Sequence, residues 1–592
     1  MTREAPCQYE PGSTRKRVLY VGSGLECFES LVADMSAAPR TERVRSDLYP
    51  VLRSRGQELE WVPVWDTVGA TGTLRSAYVN LLLVDLRWCE NFENRVSEVR
   101  QLLNALDHED DVEQRYGFHR IVVMVSGPDA SRLDDLIIEL GAVGVRHVIR
   151  QDFREDVPAW SSDEPFAERV LRSAVDLTGS RRIGKTAICA SGGGITGIYF
   201  EMGVLKCLDD CLTNCSVNDF DMMFGISAGA VVTSLLSVGY TADELMAGIA
   251  SVPGGRVPPM SLSLLRLSHF NHEDMRWRMS SAATTGIRAF WDTLRRRGGD
   301  TADSLFLEYT SLVGPPFHSS EFEVMLRRIL QMSGSTNDFR KLPVELFVGA
   351  SDQDARSHVL FGSEGYDHVP ISKAVQASLS VNPAFASVPI DGRYYEDGAI
   401  TRTSNFGEAI GRNATLVVTL DPFVPYVSKL PGLAHRRGVL YNIDQDIRTI
   451  SFTRFERARN AVLRKHPEVS SYTFLPSNTL RRLLSTNPMD HRPYLEIWRG
   501  AYLSALQRID QLCHRLRGDL AEQGMLLDTG MAEHVAEQLR TTTHLCFADF
   551  FPDRQVEIAK RPFMQPSQLT SSPPPAADAS DSLGSVPPSH GE

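Results

Sequence analysis

The 592-residue sequence contains no stretch of about 18 consecutive apolar residues, the least that a bilayer-crossing helix requires. Its opening, MTREAPCQYEPGSTRKR, has no apolar core of the kind that marks a secretory leader. A cytoplasmic chain, with at most peripheral membrane contact, is therefore expected. Basic excess is also lacking: 62 Lys and Arg stand against 74 Asp and Glu, a net charge of −12. A nucleic-acid partner normally needs the opposite balance, so none is expected. The nine cysteines form no paired CxxC framework, which argues for reduced thiols and against a metal cluster. Cys207, Cys211 and Cys215 recur every four residues and would share one helical face. With no histidine beside them, buried thiols are the simpler reading than a soft-metal site. No metal or cofactor is implied anywhere else.

What is present is an ordinary globular composition, 42% hydrophobic and 23% charged, in a chain too long for one core. Five segments are expected. Residues 1–16 read as a flexible N-terminus, and 17–177 as a doubly wound α/β module. Its strand candidates are Val18–Val21, Leu81–Asp85, Ile121–Val125 and Val145–Ile149, with helical spacing from Phe92 to Leu106. This order loosely resembles a response-regulator receiver domain, in which Asp85 would stand at the phosphoacceptor position. No acidic pair follows the first strand and no lysine follows the last, so a degenerate docking or regulatory module with its own partner is the expectation. Residues 183–429 carry every strong motif. Residues 430–560 show helical periodicity, as in Ile443, Ile447 and Ile450, and are read as an all-helical extension. Between Lys429 and Asp519 there are sixteen Lys and Arg against eight Asp and Glu, a basic patch suited either to anionic head groups or to a solvated helical face. Residues 561–592, rich in Pro and Ser, are expected to be disordered.

Three motifs carry chemistry. The strand-like Thr186–Ser191 runs into Gly192-Gly193-Gly194-Ile195-Thr196-Gly197 and then into an amphipathic stretch. A strand turning through bare glycines into a helix points its amides at an anion. The same glycines satisfy G-x-G-x-x-G, the dinucleotide fingerprint, but Asp219 and Asp221 precede the next strand instead of ending it, where a ribose-binding acid is wanted. Gly225-Ile226-Ser227-Ala228-Gly229 matches G-x-S-x-G, an elbow that holds a strained serine at a strand-to-helix turn. Asp391-Gly-Arg-Tyr-Tyr-Glu-Asp397-Gly398-Ala399 follows, preceded by Ala377-Ser-Leu-Ser-Val-Asn-Pro383-Ala-Phe385. An Asp-Gly pair alone marks a turn.

In this order the motifs resemble the patatin-like phospholipases, including the neuropathy target esterase relatives, over about Lys185 to Pro425. Ala350–Asp354 followed by Val359–Phe361 looks like the strand pair that precedes the aspartate in that family. The resemblance implies a three-layer α/β/α catalytic domain acting on a phospholipid or another acyl-ester lipid. It implies a Ser-Asp dyad, with Ser227 as nucleophile and Asp397 as base, and an anion-binding loop formed by Gly192, Gly193, Gly194, Thr196 and Gly197. Gly225 and Gly229 would flank the elbow. The family usually carries Arg or Lys where this chain has Thr196, which leaves open how strongly an oxyanion or phosphate is held. Aromatic and basic residues from Val257 to Arg297 suggest a lid or interfacial patch. Two alternatives stand beside the hydrolase: an inactive or regulatory lipid-binding scaffold, and a Ser-His-Asp esterase drawing on His435, His466, His491, His514 or His544.

Overall fold

The computed structural model describes residues 15–551, apart from 261–275 and 277–314, the stretches 88–91, 108–112, 127–129, 152–163 and 180–183, and positions 23, 47, 114, 254, 316, 333, 383, 467, 486 and 488. The Pro/Ser-rich tail, nearly all of the N-terminal segment and most of the suggested lid, including Trp277, Trp291 and Arg295–Arg297, lie outside the described residues.

Two sheets organise the chain. The first contains β1 (Arg15–Val21), β2 (Thr41–Val44), β3 (Val51–Ser54), β4 (Gln57–Val64), β5 (Leu81–Leu86), β6 (Ile121–Val125) and β7 (His147–Arg150), in the order β2-β3-β4-β1-β5-β6-β7. Five of these strands are parallel. Counted in chain order they lie 2-1-3-4-5, a doubly wound arrangement. β2 and β3 extend the sheet antiparallel from β4. Alternation decides which helix each side chain meets. Val18, Tyr20, Leu81 and Leu83 pack with α1 (Leu25–Ser36) and α5 (Phe166–Gly179). Leu19, Val21, Leu82 and Val84 face α2 (Thr67–Ser76), α3 (Phe92–Asp107) and α4 (Ala130–Val143).

The second sheet contains β8 (Lys185–Ala190), β9 (Met222–Ile226), β10 (Glu345–Asp352), β11 (Ser357–Phe361), β12 (Val388–Ile390), β13 (Arg393–Asp397), β14 (Ala414–Leu420) and β15 (Ser470–Phe474). Its order is β12-β13-β10-β9-β8-β14-β15, with β11 also paired to β10. The chain from β8 to β10 and on to β15 is parallel at its centre, and β11, β12 and β13 are antiparallel additions. Helices α6 (Gly194–Cys211), α7 (Ala228–Ser237), α8 (Ala242–Ile249), α9 (Ser320–Leu330) and α10 (Ile371–Ser378) share a core with Ile188, Met223 and Val418. The opposite face, with Ala187, Cys189, Phe224 and Val417, takes α11 (Phe406–Gly411) and, beyond the short α12 (Leu433–Arg437), α13 (Val439–Lys465). The sheet is therefore the middle of three layers, as the resemblance implies.

The C-terminal region is helical, with α14 (Asn478–Leu484), α15 (Tyr494–Glu522) and α16 (Gly530–Thr541) returning to the α6 side. It differs from an all-helical run in supplying β15, which covers the edge that β14 would otherwise leave open. Where α15 crosses α6 the backbones nearly touch, and a Cβ on Gly203 would come within 2.7 Å of Ala501. Cys207 and Cys211 are buried in α6. No group of metal-binding side chains occurs among the described residues.

Candidate functional site

β10 explains how two residues far apart in sequence meet. Its first half pairs with β9, setting Gly349 opposite Ile226, and its second half pairs with β13, setting Ala350 opposite Asp397. Consecutive residues of one strand thus fix the approach to Ser227 and the position of Asp397. The Asp397 amide donates to the Ser380 carbonyl at 3.0 Å, and the Ser351 hydroxyl donates to the Asp397 carbonyl at 3.0 Å. Gly398 lies so close to β10 that a Cβ there would stand 2.4 Å from the Gly349 carbonyl oxygen.

Ser227 sits between β9 and α7 with φ 52° and ψ −116°. That is a left-handed conformation which a residue with a side chain holds only under constraint. The constraint is visible on both sides. A Cβ on Gly229 would fall 2.3 Å from the Ala190 carbonyl oxygen, so only glycine lets α7 start this close to β8. Gly225 likewise leaves no room beside Thr233 and Ala230. The Ser227 amide is held by Ser378: its hydroxyl oxygen accepts from that amide at 2.8 Å while its proton goes to the Gly349 carbonyl at 2.6 Å.

The Ser227 hydroxyl lies near enough to the Asp397 carboxyl to favour its ionised form. Asp397 is buried, and burial pushes its carboxyl up to about 6. The Ala399 amide, 2.8 Å from one oxygen, and the Ser227 hydroxyl pull in the other direction. No histidine is among the groups acting on Asp397. His466 instead faces Glu468, and His514 meets the backbone at Leu74.

The glycine loop lies over this pair. A Cβ on Gly192 would be 3.3 Å from the Ser227 Cβ and 3.9 Å from its Oγ, so bare backbone faces the hydroxyl. Gly194 takes φ 67° to turn the loop into α6. The first amides of that helix have no carbonyl one turn back to bond. Gly193 and Gly197 pack against Pro422, and Gly197 also approaches Ala228. Thr196 is buried and donates its hydroxyl to the Gly193 carbonyl at 3.3 Å, so it braces the loop from within. Beneath the loop lie two buried carboxyls, Glu201 and Asp421. Burial raises both, Asp421 to about 6.

Asp221, the acid a dinucleotide site would want, instead accepts from the Thr186 amide and hydroxyl where β8 begins. Asp219 closes a capping box with Ser216. The structure also supplies residues that motif reasoning did not single out. Ser378 is one, although Ala377-Ser378 stood in the quoted segment. Arg454 of α13 is another: it donates to the carbonyls of Ala399 and Ile400 at 3.0 and 3.1 Å, closing the turn after Asp397. Nothing local in the sequence signals that contact.

A mostly parallel sheet between two helical layers, with a strained G-x-S-x-G serine at a strand end under a glycine loop, defines a three-layer domain built around a nucleophile-elbow turn. Within that class, residues 188–410 match the family model described as patatin-like phospholipase, and the chain carries a domain of that family there. No curated protein sequence matches the chain significantly. Among solved structures, VipD from Legionella pneumophila is 14% identical, with 60% of this chain and 73% of that chain covered, at a TM-score of 0.27. The type III effector ExoU is also 14% identical, covering 64% and 70%, at 0.23. Full-length ExoU from Pseudomonas aeruginosa with SpcU gives 13% identity, 55% and 52% coverage, at 0.22. At such low scores these likenesses carry no argument about this chain.

Proposed function

We propose that the chain is a lipid acyl hydrolase that works through an acyl-Ser227 intermediate. The observation that carries this reading is a strained serine whose hydroxyl acts on a buried carboxyl raised to about 6, beside bare glycine backbone. A serine hydroxyl attacks poorly until a base takes its proton, and a carboxylate whose pKa approaches the working pH is a far better base than one near 4. Asp397 receives the proton as Ser227 Oγ bonds to the ester carbonyl carbon. The amides of Gly192, Gly193 and Gly194 stabilise the resulting oxyanion, a contribution of about 2.7–4 kcal/mol per donor in comparable sites. Asp397 then passes the proton to the departing alcohol. In the second half the same carboxylate takes a proton from water, which attacks the acyl-serine and releases the fatty acid.

The substrate would be met at a membrane surface. Val439, Ile443, Ile447 and Ile450 of α13 are all exposed and, at 3.6 residues per turn, fall within about 80° of arc. Val427 and Leu430 are exposed at the same end, with Lys429, Arg436 and Arg437 alongside. An apolar stripe flanked by cations suits a bilayer carrying anionic lipids, and Arg454 of the same helix reaches the turn after Asp397. No helix among the described residues is long and apolar enough to cross a membrane. The α/β module at 17–177 is read as regulatory, with the hydrolase at 183–429 and the helical extension at 430–560.

The test is covalent labelling of the purified chain with a fluorophosphonate, together with turnover of p-nitrophenyl butyrate and fatty-acid release from phosphatidylcholine vesicles. Wild type should label and turn over. Ser227→Ala should do neither, and Asp397→Asn should lose about 10²-fold or more in rate. Labelling that persists in Ser227→Ala removes the mechanism.

A further inference from the structure

We propose that Arg454 of α13 is a positioning residue for Asp397: from outside the stretch that matches the family, it holds the turn whose backbone holds that carboxylate. The inference rests on the reading of Asp397 as the base for Ser227. The carbonyls of the turn are taken one after another. That of Asp397 accepts from the Ser351 hydroxyl at 3.0 Å, and that of Gly398 from the amides of Thr401 and Arg402 at 3.2 and 2.9 Å. Those of Ala399 and Ile400 accept from the Arg454 guanidinium at 3.0 and 3.1 Å. The first two are therefore held by residues within 188–410 and the last two by a residue beyond it.

Ala399 makes this hold matter, because it works in two directions. Its amide reaches one Asp397 oxygen at 2.8 Å while Arg454 grips its carbonyl. Its methyl faces the glycine loop, 3.7 Å from where a Cβ on Gly192 would stand, and that position is 3.3 Å from the Ser227 Cβ. A turn free to rotate would carry the amide off the carboxylate and the methyl off the loop together. The charge of Arg454 is spent on this turn: burial alone acts on its guanidinium, with no carboxylate beside it, and its remaining contact is the Thr403 hydroxyl at 3.5 Å. Bonds from an ionised donor are roughly twice as strong as neutral ones. The helix is itself firmly seated. Fully buried Arg448 donates to the carbonyls of Pro422 and Leu484 at 3.3 and 3.4 Å, and the Ser451 carbonyl accepts from Thr403 at 2.9 Å. Pro422 packs on Gly193 and Gly197, so α13 braces both the loop and the base.

The other charges around Asp397 are committed elsewhere. Glu396 of β13, the one charged side chain acting on it directly, meets Asn382 at 2.6 Å and Arg356 at 3.4 Å. Asp352 of β10 pairs with Arg393 at 2.6 Å, and Arg402 with Glu408 at 2.5 Å. His358 of β11 is pushed down to about 4 by burial and stays neutral between Thr401 and Asn405.

The sign of the effect follows from the Ala399 amide, which favours ionised Asp397. Loosening the turn raises the carboxyl. Arg454→Ala should therefore move the half-maximum of soluble-ester turnover about half a pH unit or more above the wild-type value, a loss of about threefold at pH 5. KM should stay unchanged, because the base is altered and not the binding of substrate. A second readout needs no activity: thermal melts across pH of wild type against D397N, and of R454A against R454A/D397N. In the first pair the gap widens as pH rises from about 4 and levels near about 6; in the second it should level about half a unit higher. Arg454→Lys keeps the charge but cannot fork onto two carbonyls, so it should shift both readouts partway, and it carries the test where R454A does not fold. Arg457→Ala, which removes an exposed arginine of the same helix, should shift neither. Equal shifts in R457A overturn the proposal, as does turnover that falls in R454A and R454K while midpoint and gap stay where they are. If the gap shifts but wild type shows no turnover dependent on Ser227, Arg454 holds Asp397 as inferred and it is the hydrolase reading that fails.

Discussion

Asp397 is held where its charge is unwelcome, and this separates its proposed role in catalysis from any role in holding the fold. Its folded pKa of about 6 lies above the ordinary 3.8 because burial disfavours the ionised form. A raised folded pKa means that the group's stabilising contribution is complete below about pH 4 and is lost as pH rises through 6. The difference of about two pH units corresponds to on the order of 3 kcal/mol. Asp397→Asn should therefore raise the thermal unfolding midpoint relative to wild type at pH 8, with the gap closing by pH 4, while ester turnover is lost. Glu201 and Asp421 shift stability in the same sense, but they are present in both proteins and cancel in the comparison. Turnover by wild type should climb with pH to a half-maximum near 6 and then level off, because only ionised Asp397 can accept the serine proton. A scanning-fluorimetry series across pH, run beside the ester assay, checks both outcomes. An Asn variant less stable than wild type at pH 8 would show that the carboxylate is structural.

Single elements decide how much of this arrangement could be read without coordinates. The glycine loop and the serine elbow were legible because each demands particular residue types at fixed spacing: Gly229 where a backbone oxygen is 2.3 Å from a would-be Cβ, and Ser227 at positive φ. The hairpin of β10 and β11 was anticipated only through the family resemblance. The role of β10 as the strand that places Ile226 beside Gly349 and Asp397 beside Ala350 was not, since register between distant strands leaves no local pattern. β2 and β3 escaped because four-residue strands at a sheet edge are short and partly polar. β15 escaped because Ser470–Phe474 lies in a basic, helix-rich stretch and becomes a strand by pairing with β14. For α13 the periodicity of Ile443, Ile447 and Ile450 correctly signalled a helix, yet these side chains face outward instead of into the core. If that face meets lipid, I443E/I447E should reduce co-sedimentation with anionic vesicles several-fold while leaving turnover of a soluble ester unchanged. Equal vesicle binding by variant and wild type would leave the stripe without a membrane role.

Across the whole molecule, α15 ties the two sheets into one body. Its 29 residues span about 43 Å at 1.5 Å per residue, long enough to pack on α6 and still reach the first sheet. At its far end Asp519 and Glu522 accept from Tyr78, and Glu522 also accepts from Asn80 and Lys16. Glu113 reaches in the other direction, from the first half of the chain to Arg459 and Arg508. The Glu113–Arg459 pair is buried, so removing one partner strands the other at a cost of roughly 3–5 kcal/mol; the contacts of Glu522 are partly buried. Gly518 shows how tight the junction is: a Cβ there would lie 2.4 Å from the Tyr78 ring. Gly518→Leu should therefore act as a wedge, displacing Tyr78 from Asp519 without touching the core of either sheet. Hydrogen exchange should rise in 71–81 and 515–523 and stay unchanged in β8, β9 and β10, and the first sheet should melt at a lower temperature than the second. If the two halves continue to unfold as one cooperative unit, the Tyr78 end of α15 is not what joins them, and the junction rests on Glu113 with Arg459 of α13 and Arg508 of α15.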